Sequence, residues 1–135
     1  MHLHPFFLTQ LVSAYCRSEN FEKARCCISK AFEAAEKTKE KWAEAEIHRN
    51  AGELALRLRQ TEEAERRFVR SISIAREQGS KSWELRAAMS MARLWHEQGK
   101  RDEARELLAP VYGWFTEGFD TLDLAEAKTL LDELA

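Results

Sequence analysis

Small and bulky apolar residues recur along the chain with a step of 40. Phe21-Glu-Lys-Ala-Arg25, Thr61-Glu-Glu-Ala-Glu65 and Arg101-Asp-Glu-Ala-Arg105 share one register, with Ala24, Ala64 and Ala104 in equivalent places. Four residues on stand Ile28, Phe68 and Leu108, and four further on Phe32, Ile72 and Tyr112. Steps of four keep side chains on one face of an α-helix. Upstream, Glu44 matches Glu84, Gly52 matches Ala92 and Leu54 matches Leu94. Polar breaks near 18–20, 38–40, 59–61, 78–80, 98–100 and 118–120 divide the chain into seven predicted helices. These run over 5–18, 21–37, 40–58, 61–78, 81–98, 101–117 and 121–134.

The punctuation fits that division. Gly79, Gly99 and Gly118 suit the left-handed conformation that ends a helix. Asn20, Thr61, Ser80 and Asp120 are candidate N-caps, whose oxygens accept from the first free backbone N–H groups. Short connections force sequential helices to pack antiparallel. The chain therefore reads as one domain of three helix pairs, units 1–39, 40–79 and 80–119, plus a capping helix over 120–135. Ala24, Ala64 and Ala104, with Gly52 and Ala92, let paired helices approach, while Tyr15, Phe68, Trp95 and Leu108 fill the neighbouring gaps. A lone pair cannot bury its apolar face, so the pairs must stack.

Pro110 lies inside the sixth helix, where it removes a donor and crowds the carbonyl of Glu106. A kink there is expected to tilt Trp114 and Phe115 toward the last helix. That helix carries Leu124, Ala127, Leu131 and Leu134 on one stripe and Asp123, Glu126, Lys128 and Asp132 elsewhere, the pattern of a terminal cap.

Composition narrows the functional classes. The 135 residues are 44% hydrophobic and 33% charged, with only five Gly and two Pro. This excludes a disordered or loop-rich chain. Lys plus Arg is 21 against 23 Asp plus Glu, a net charge of −2, which disfavours a generally basic nucleic-acid binder. No apolar run reaches the roughly 20 residues that a membrane span needs. The stretch Met1-His2-Leu3-His4-Pro5-Phe6-Phe7-Leu8 has no basic leader and does not read as a signal peptide. Three cysteines, Cys16, Cys26 and Cys27, fit a reduced, cytoplasmic chain with thiols buried in a helical core.

The recurring residues resemble the tetratricopeptide repeat over nearly the whole chain. The first unit shows Leu11, Tyr15, Ala24, Ile28 and Ala31, the second Gly52, Ala64, Phe68 and Ser71, the third Ala92, Trp95, Ala104, Leu108 and Val111. The 40-residue step exceeds the family's usual ~34, and no unit ends on its usual proline. The resemblance implies an all-α fold, a right-handed superhelix of antiparallel helix pairs. The segments 46–54, 82–88, 92–95 and 108–119 are also similar to the C-terminal repeats of large bacterial signalling ATPases, many of which carry a nucleotide-cyclase or DNA-binding output domain. That likeness implies a regulatory or sensor tail and transfers no catalytic residue.

The family's groove is lined by outward-facing residues of each first helix. Carried over by register, these are Phe6, Thr9, Ser13 and Arg17, then Glu46, Arg49, Glu53 and Arg57, then Arg86, Met89, Arg93 and His96. The arginines offer planar donors to a carboxylate or phosphate. The competing reading is a solvated face on which Glu46 and Glu53 neutralise their neighbours. Thr9 and Ser13 depart from the Lys and Asn that chaperone-binding members use. His2 and His4 with the cysteines meet no metal-ligand spacing, and no nucleophile, base and orienter set or phosphate-binding loop is present. No cofactor or metal is expected, and the chain is not read as an enzyme.

Of the tryptophans, Trp42 and Trp83 begin their helices and are expected to be partly exposed. The apolar surface of Phe6, Phe7 and Leu8 is expected to be covered by an upstream repeat of a longer parent or by another copy of the chain, and self-association through the first unit as a homodimer is the reading taken forward. The leading function is a scaffold that presents its groove to a protein or peptide, without nucleic-acid or membrane partners. The sensor tail and an RNA-contacting helical repeat are its rivals.

Overall fold

A computed structural model of the chain describes residues 5–39, 43–119 and 121–135, with side chains from Phe7 onward. Seven helices and no strand occur among the described residues: α1 Pro5–Arg17, α2 Phe21–Thr38, α3 Glu44–Arg57, α4 Thr61–Glu77, α5 Lys81–Glu97, α6 Arg101–Trp114 and α7 Leu122–Leu134. The fold is the expected all-α superhelix of antiparallel helix pairs. His2, His4, Trp42, Asp120 and the Phe6 side chain lie outside the described residues.

The turns follow a finer beat than the repeat. Glu19, Lys39, Arg59, Gly79 and Gly99 stand 20 residues apart, and all have positive φ, at 61°, 57°, 60°, 66° and 79°. Only the two glycines take that conformation without steric cost. At four of these turns the following residue works twice. The N–H of Asn20, Gln60, Ser80 and Lys100 closes the preceding helix on Tyr15, Ala55, Ala75 and Trp95 respectively, at 2.8–2.9 Å. The carbonyl of the same residue then opens the next helix, accepting from Ala24, Ala64, Glu84 and Ala104. One residue thus ends one helix and starts another, which folds consecutive helices back on each other. Asn20 also caps α2 through its side chain, to Lys23 N at 3.4 Å. Ser80 holds the cap position without a side-chain bond. Thr61 is the first residue of α4 and Gln60 its cap. The cap of α7 is Thr121.

Each pair is held by small residues at its crossing. Ala24, Ala64 and Ala104 are fully buried, as are Phe68 and Leu108 beside two of them. Gly52 shows how tight the middle crossing is: a Cβ there would lie 2.5 Å from the Phe68 ring. The first helices of successive pairs, α1, α3, α5 and α7, touch one another more closely than the second helices do. Closer spacing on one side curves the stack and makes the first helices its inner wall.

The C-terminal region departs from expectation in three ways. Helix α6 runs through Pro110 but stops at Trp114, because Phe115 turns to extended backbone at φ −76°, ψ 137°. Phe115 packs into the cluster shared with α7, whereas Trp114 stays 58% exposed. Trp114 lies edge-on to Phe115 and beneath the Lys81 ammonium instead of facing the last helix. On α7 the buried stripe is Leu124, Ala127, Leu130 and Leu134, with Leu131 only half-buried.

Two substitutions test these contacts. Gly52→Ala gains roughly 1 kcal/mol of helix propensity, yet must displace the Phe68 ring, so we expect a net loss of about 1–2 kcal/mol in urea unfolding; Phe68→Leu in the same chain should relieve it. Arg59→Gly removes a left-handed non-glycine residue and should raise stability by about 0.5–1 kcal/mol in the same assay.

Candidate functional site

The inner wall is paved with polar side chains that bind one another. Glu46 on α3 is only 3% exposed. Its carboxylate takes Arg49 from its own helix, through Nε at 3.0 Å and through Nη2, and Arg86 from α5 at 3.1 Å. Asn50, one turn on, donates to the Glu46 carbonyl at 2.8 Å and accepts from Ser13 of α1 at 3.1 Å. Ser90 of α5 donates to Glu53 at 2.8 Å and accepts from Arg49 at 3.5 Å. Arg86 reaches Asp123 of α7 at 3.6 Å, and Arg93 reaches Glu126 at 3.4 Å. Every neighbouring pair of first helices is therefore bridged by a polar contact.

Burial sets the strength of these bonds. Water screens an exposed pair such as Arg93–Glu126 to about 0–1 kcal/mol. Arg49 differs, with a side chain only 15% exposed. Burial works against its charge, but the bond to Glu46 and the negative charges of Glu46, Glu53 and Asp123 together outweigh that and hold its pKa above the ordinary arginine value. A buried guanidinium with a formed carboxylate partner is expensive to separate from it. Arg49 and Glu46 thus belong to the wall.

The expected groove residues separate into three sets. Thr9 and Met89 are buried with Glu46. Ser13, Arg49, Glu53 and Arg86 are engaged in the cross-helix bonds above. Arg17, Arg57, Arg93 and His96 remain accessible, Arg93 within its exposed pair with Glu126 and the first two on the last turns of α1 and α3. Arg93 and His96 join Glu97, Glu126, Thr129 and Leu130 around a cleft of about 410 Å3 between α5 and α7. Sequence reasoning did not single out Asn50 or Ser90, and named Asp123 only on the polar side of the last helix. Asn50 and Ser90 carry the signal that would have found them: they are polar residues at one register position, 40 residues apart, two positions before the small residues Gly52 and Ala92.

Other singled-out side chains lie elsewhere. Phe7 is 47% exposed at the start of α1. Trp83 is half-buried beside Ala45, Ile74 and Ala75, with the Arg86 guanidinium 5.6 Å from its ring centre. Cys16 and Cys27 are buried, and burial pushes both thiols up from their ordinary value. Cys26 is exposed, contrary to expectation, because on α2 the inward face is Ala24, Cys27, Ile28 and Ala31. Among the described residues no three His, Cys, Asp or Glu converge as a metal site would require.

The sequence profile of the tetratricopeptide repeat matches residues 7–77, more than half of the chain. The chain belongs to the tetratricopeptide repeat family. A comparison with curated proteins finds no match. Tetratricopeptide repeats generally mediate protein–protein interaction. Among the described residues no helix is long and apolar enough to cross a membrane.

His48 gives this repeat a pH-sensitive joint between its first two pairs. Its ring meets Phe32 of α2 edge-on at 4.9 Å between centres. Arg67 of α4, itself bonded to Glu63, approaches Nδ1 at 3.1 Å. A guanidinium only donates, so Nδ1 accepts and the imidazole is neutral. Burial first, then the charges of Arg67 and Arg70, push the His48 pKa down to about 4. The unfolded chain binds this proton near pH 6.5, so stability is full above that pH and falls toward pH 4. We expect a loss of about 2 kcal/mol across that window, allowing for partial solvent access to the ring. His48→Gln should flatten that slope in urea titrations at pH 7, 6, 5 and 4.

Proposed function

We propose that this tetratricopeptide repeat chain is a non-catalytic scaffold that presents its inner wall to a peptide or helix of a partner protein. One observation carries the reading. The buried polar bonds between first helices fix the wall, while His96, the exposed Arg93–Glu126 pair and the cleft between α5 and α7 stay open to solvent beside them. A wall held in place before binding spends little of the binding free energy on ordering itself. Arg17 and Arg57 extend the accessible basic surface along the same helices, and Glu97 and Glu126 add acidic contacts at the cleft. Selectivity then comes from the pattern of charge along the wall. On this reading the chain acts in the cytoplasm, and the half-exposed Phe7 lets two copies associate through their first units. The resemblance of segments 46–54, 82–88, 92–95 and 108–119 to repeats of bacterial signalling ATPases supports a reading in which such a scaffold works within a signalling assembly.

Selection of random extended peptides on the intact chain tests the proposal. Enriched peptides should bind with micromolar or tighter Kd and lose at least tenfold when Arg93 and His96 are both changed to Glu. Peptides that bind the changed chain as well as the original would place the surface elsewhere and contradict the proposal.

A further inference from the structure

Four exposed charges form a row across the C-terminal ends of the first helices. Arg17 ends α1, Arg57 ends α3, Glu97 ends α5, and Glu133 stands in the last turn of α7. They are 40, 40 and 36 positions apart. The polar bonds between neighbouring first helices join residues 33–41 apart, so charges at these steps face one another across neighbouring helices. Two further contacts agree with that placement. Burial raises the Cys16 thiol and the charge of Arg57 opposes the rise, so Arg57 lies against the last turn of α1. Glu97 and Glu133 both line the cleft between α5 and α7.

The signs along the row run basic, basic, acidic, acidic. None of the four side chains has an ion-pair partner among the described residues. Helix dipoles account for half of the row. The negative C-terminal end of a helix favours a cation, as Arg17 and Arg57 supply. Glu97 and Glu133 do the reverse, each adding negative charge to a negative helix end. The last turn of α7 holds no basic residue. Arg93, the arginine in the cleft, is already paired with Glu126. The acidic half of the row therefore lacks a counter-charge, and the basic half sets like charges on neighbouring helices.

Spacing decides what kind of segment meets all four. Packed helices stand about 8–10 Å apart, and an extended chain advances roughly 3.3 Å per residue. Three residues of extended chain thus carry a partner from one first helix to the next. A slim extended chain follows the curve of the wall, whereas a rigid helix bridges it.

We infer that the segment taken by the inner wall is an extended peptide divided by charge, with acidic residues at i and i+3 facing Arg17 and Arg57 and basic residues at i+6 and i+9 facing Glu97 and Glu133. This rests on the scaffold reading above and names the partner that it leaves open. Arg93 and His96, which line the same cleft, offer N–H donors to the peptide's carbonyls. Those bonds are common to all sequences, and the row of charges selects among them.

The test starts from random extended peptides selected on the intact chain. Enriched peptides supply the uncharged positions, and each is remade in two versions of equal composition. The block version carries acidic residues at i and i+3 and lysines at i+6 and i+9. The alternating version exchanges the residues at i+3 and i+6. At low ionic strength the block version should bind at least fivefold more tightly by fluorescence anisotropy, and the difference should shrink in about 0.5 M salt. Arg57→Glu combined with Glu97→Arg keeps the net charge, makes the row alternate and should reverse the preference. Both residues are exposed at helix ends, and circular dichroism checks that the helices persist. Peptides that depend on Arg93 and His96 but bind equally well in both versions overturn this inference and leave the scaffold reading standing. A preference that the double exchange fails to reverse does the same. Peptides indifferent to Arg93 and His96, or no enriched peptide at all, overturn both.

Discussion

No helix pair in this chain buries enough apolar surface to stand alone, so each depends on the pair next to it. That constraint is met differently on the two sides of the stack. On the inner side the first helices approach closely, and Glu46, Asn50, Ser90 and Arg86 bridge them with hydrogen bonds and ion pairs. Between the layers the contact is apolar: Phe68 fits against Gly52, and Met91 and Leu94 join it in one buried cluster. Outside, the second helices stand apart and leave trenches. Curvature, inner polarity and outer trenches are consequences of one stacking geometry.

The polar bridges change what the inner wall offers a partner. Arg49 and Arg86 appear from their spacing to be free donors for an anion, yet both are bound to Glu46. Taking either for a ligand means breaking a buried or half-buried pair, which costs more than a solvated arginine does. The accessible chemistry shifts to Arg17, Arg57, Arg93 and His96. On the proposed reading, their fixed background lets the wall recognise shape and charge pattern with little need to reorganise.

The alanines were legible because Ala24, Ala64 and Ala104 repeat within one helical register, and all are fully buried. Gly52 was legible for the same reason. The turns were only half legible. Gly79 and Gly99 announce a left-handed residue, but Glu19, Lys39 and Arg59 do the same work with side chains that give no such signal. The packing of two helices overrides local preference there. Leu130 and Leu131 differ by one step on α7, a choice that only the crossing angle of neighbouring helices decides. The arginine pairings were the least legible. Glu46 and Arg86 are 40 residues apart, and the register that aligns them says nothing about the distance between their side chains. The closing bond comes from how closely α3 and α5 pack.

The central claim is that cross-helix polar bonds on the inner wall hold successive pairs together. A double-mutant cycle between Glu46→Gln and Arg86→Met, read by urea unfolding, isolates the bond between α3 and α5. The account predicts a favourable coupling of about 1–2 kcal/mol between the two side chains. Additive effects, with a coupling indistinguishable from zero, would contradict it.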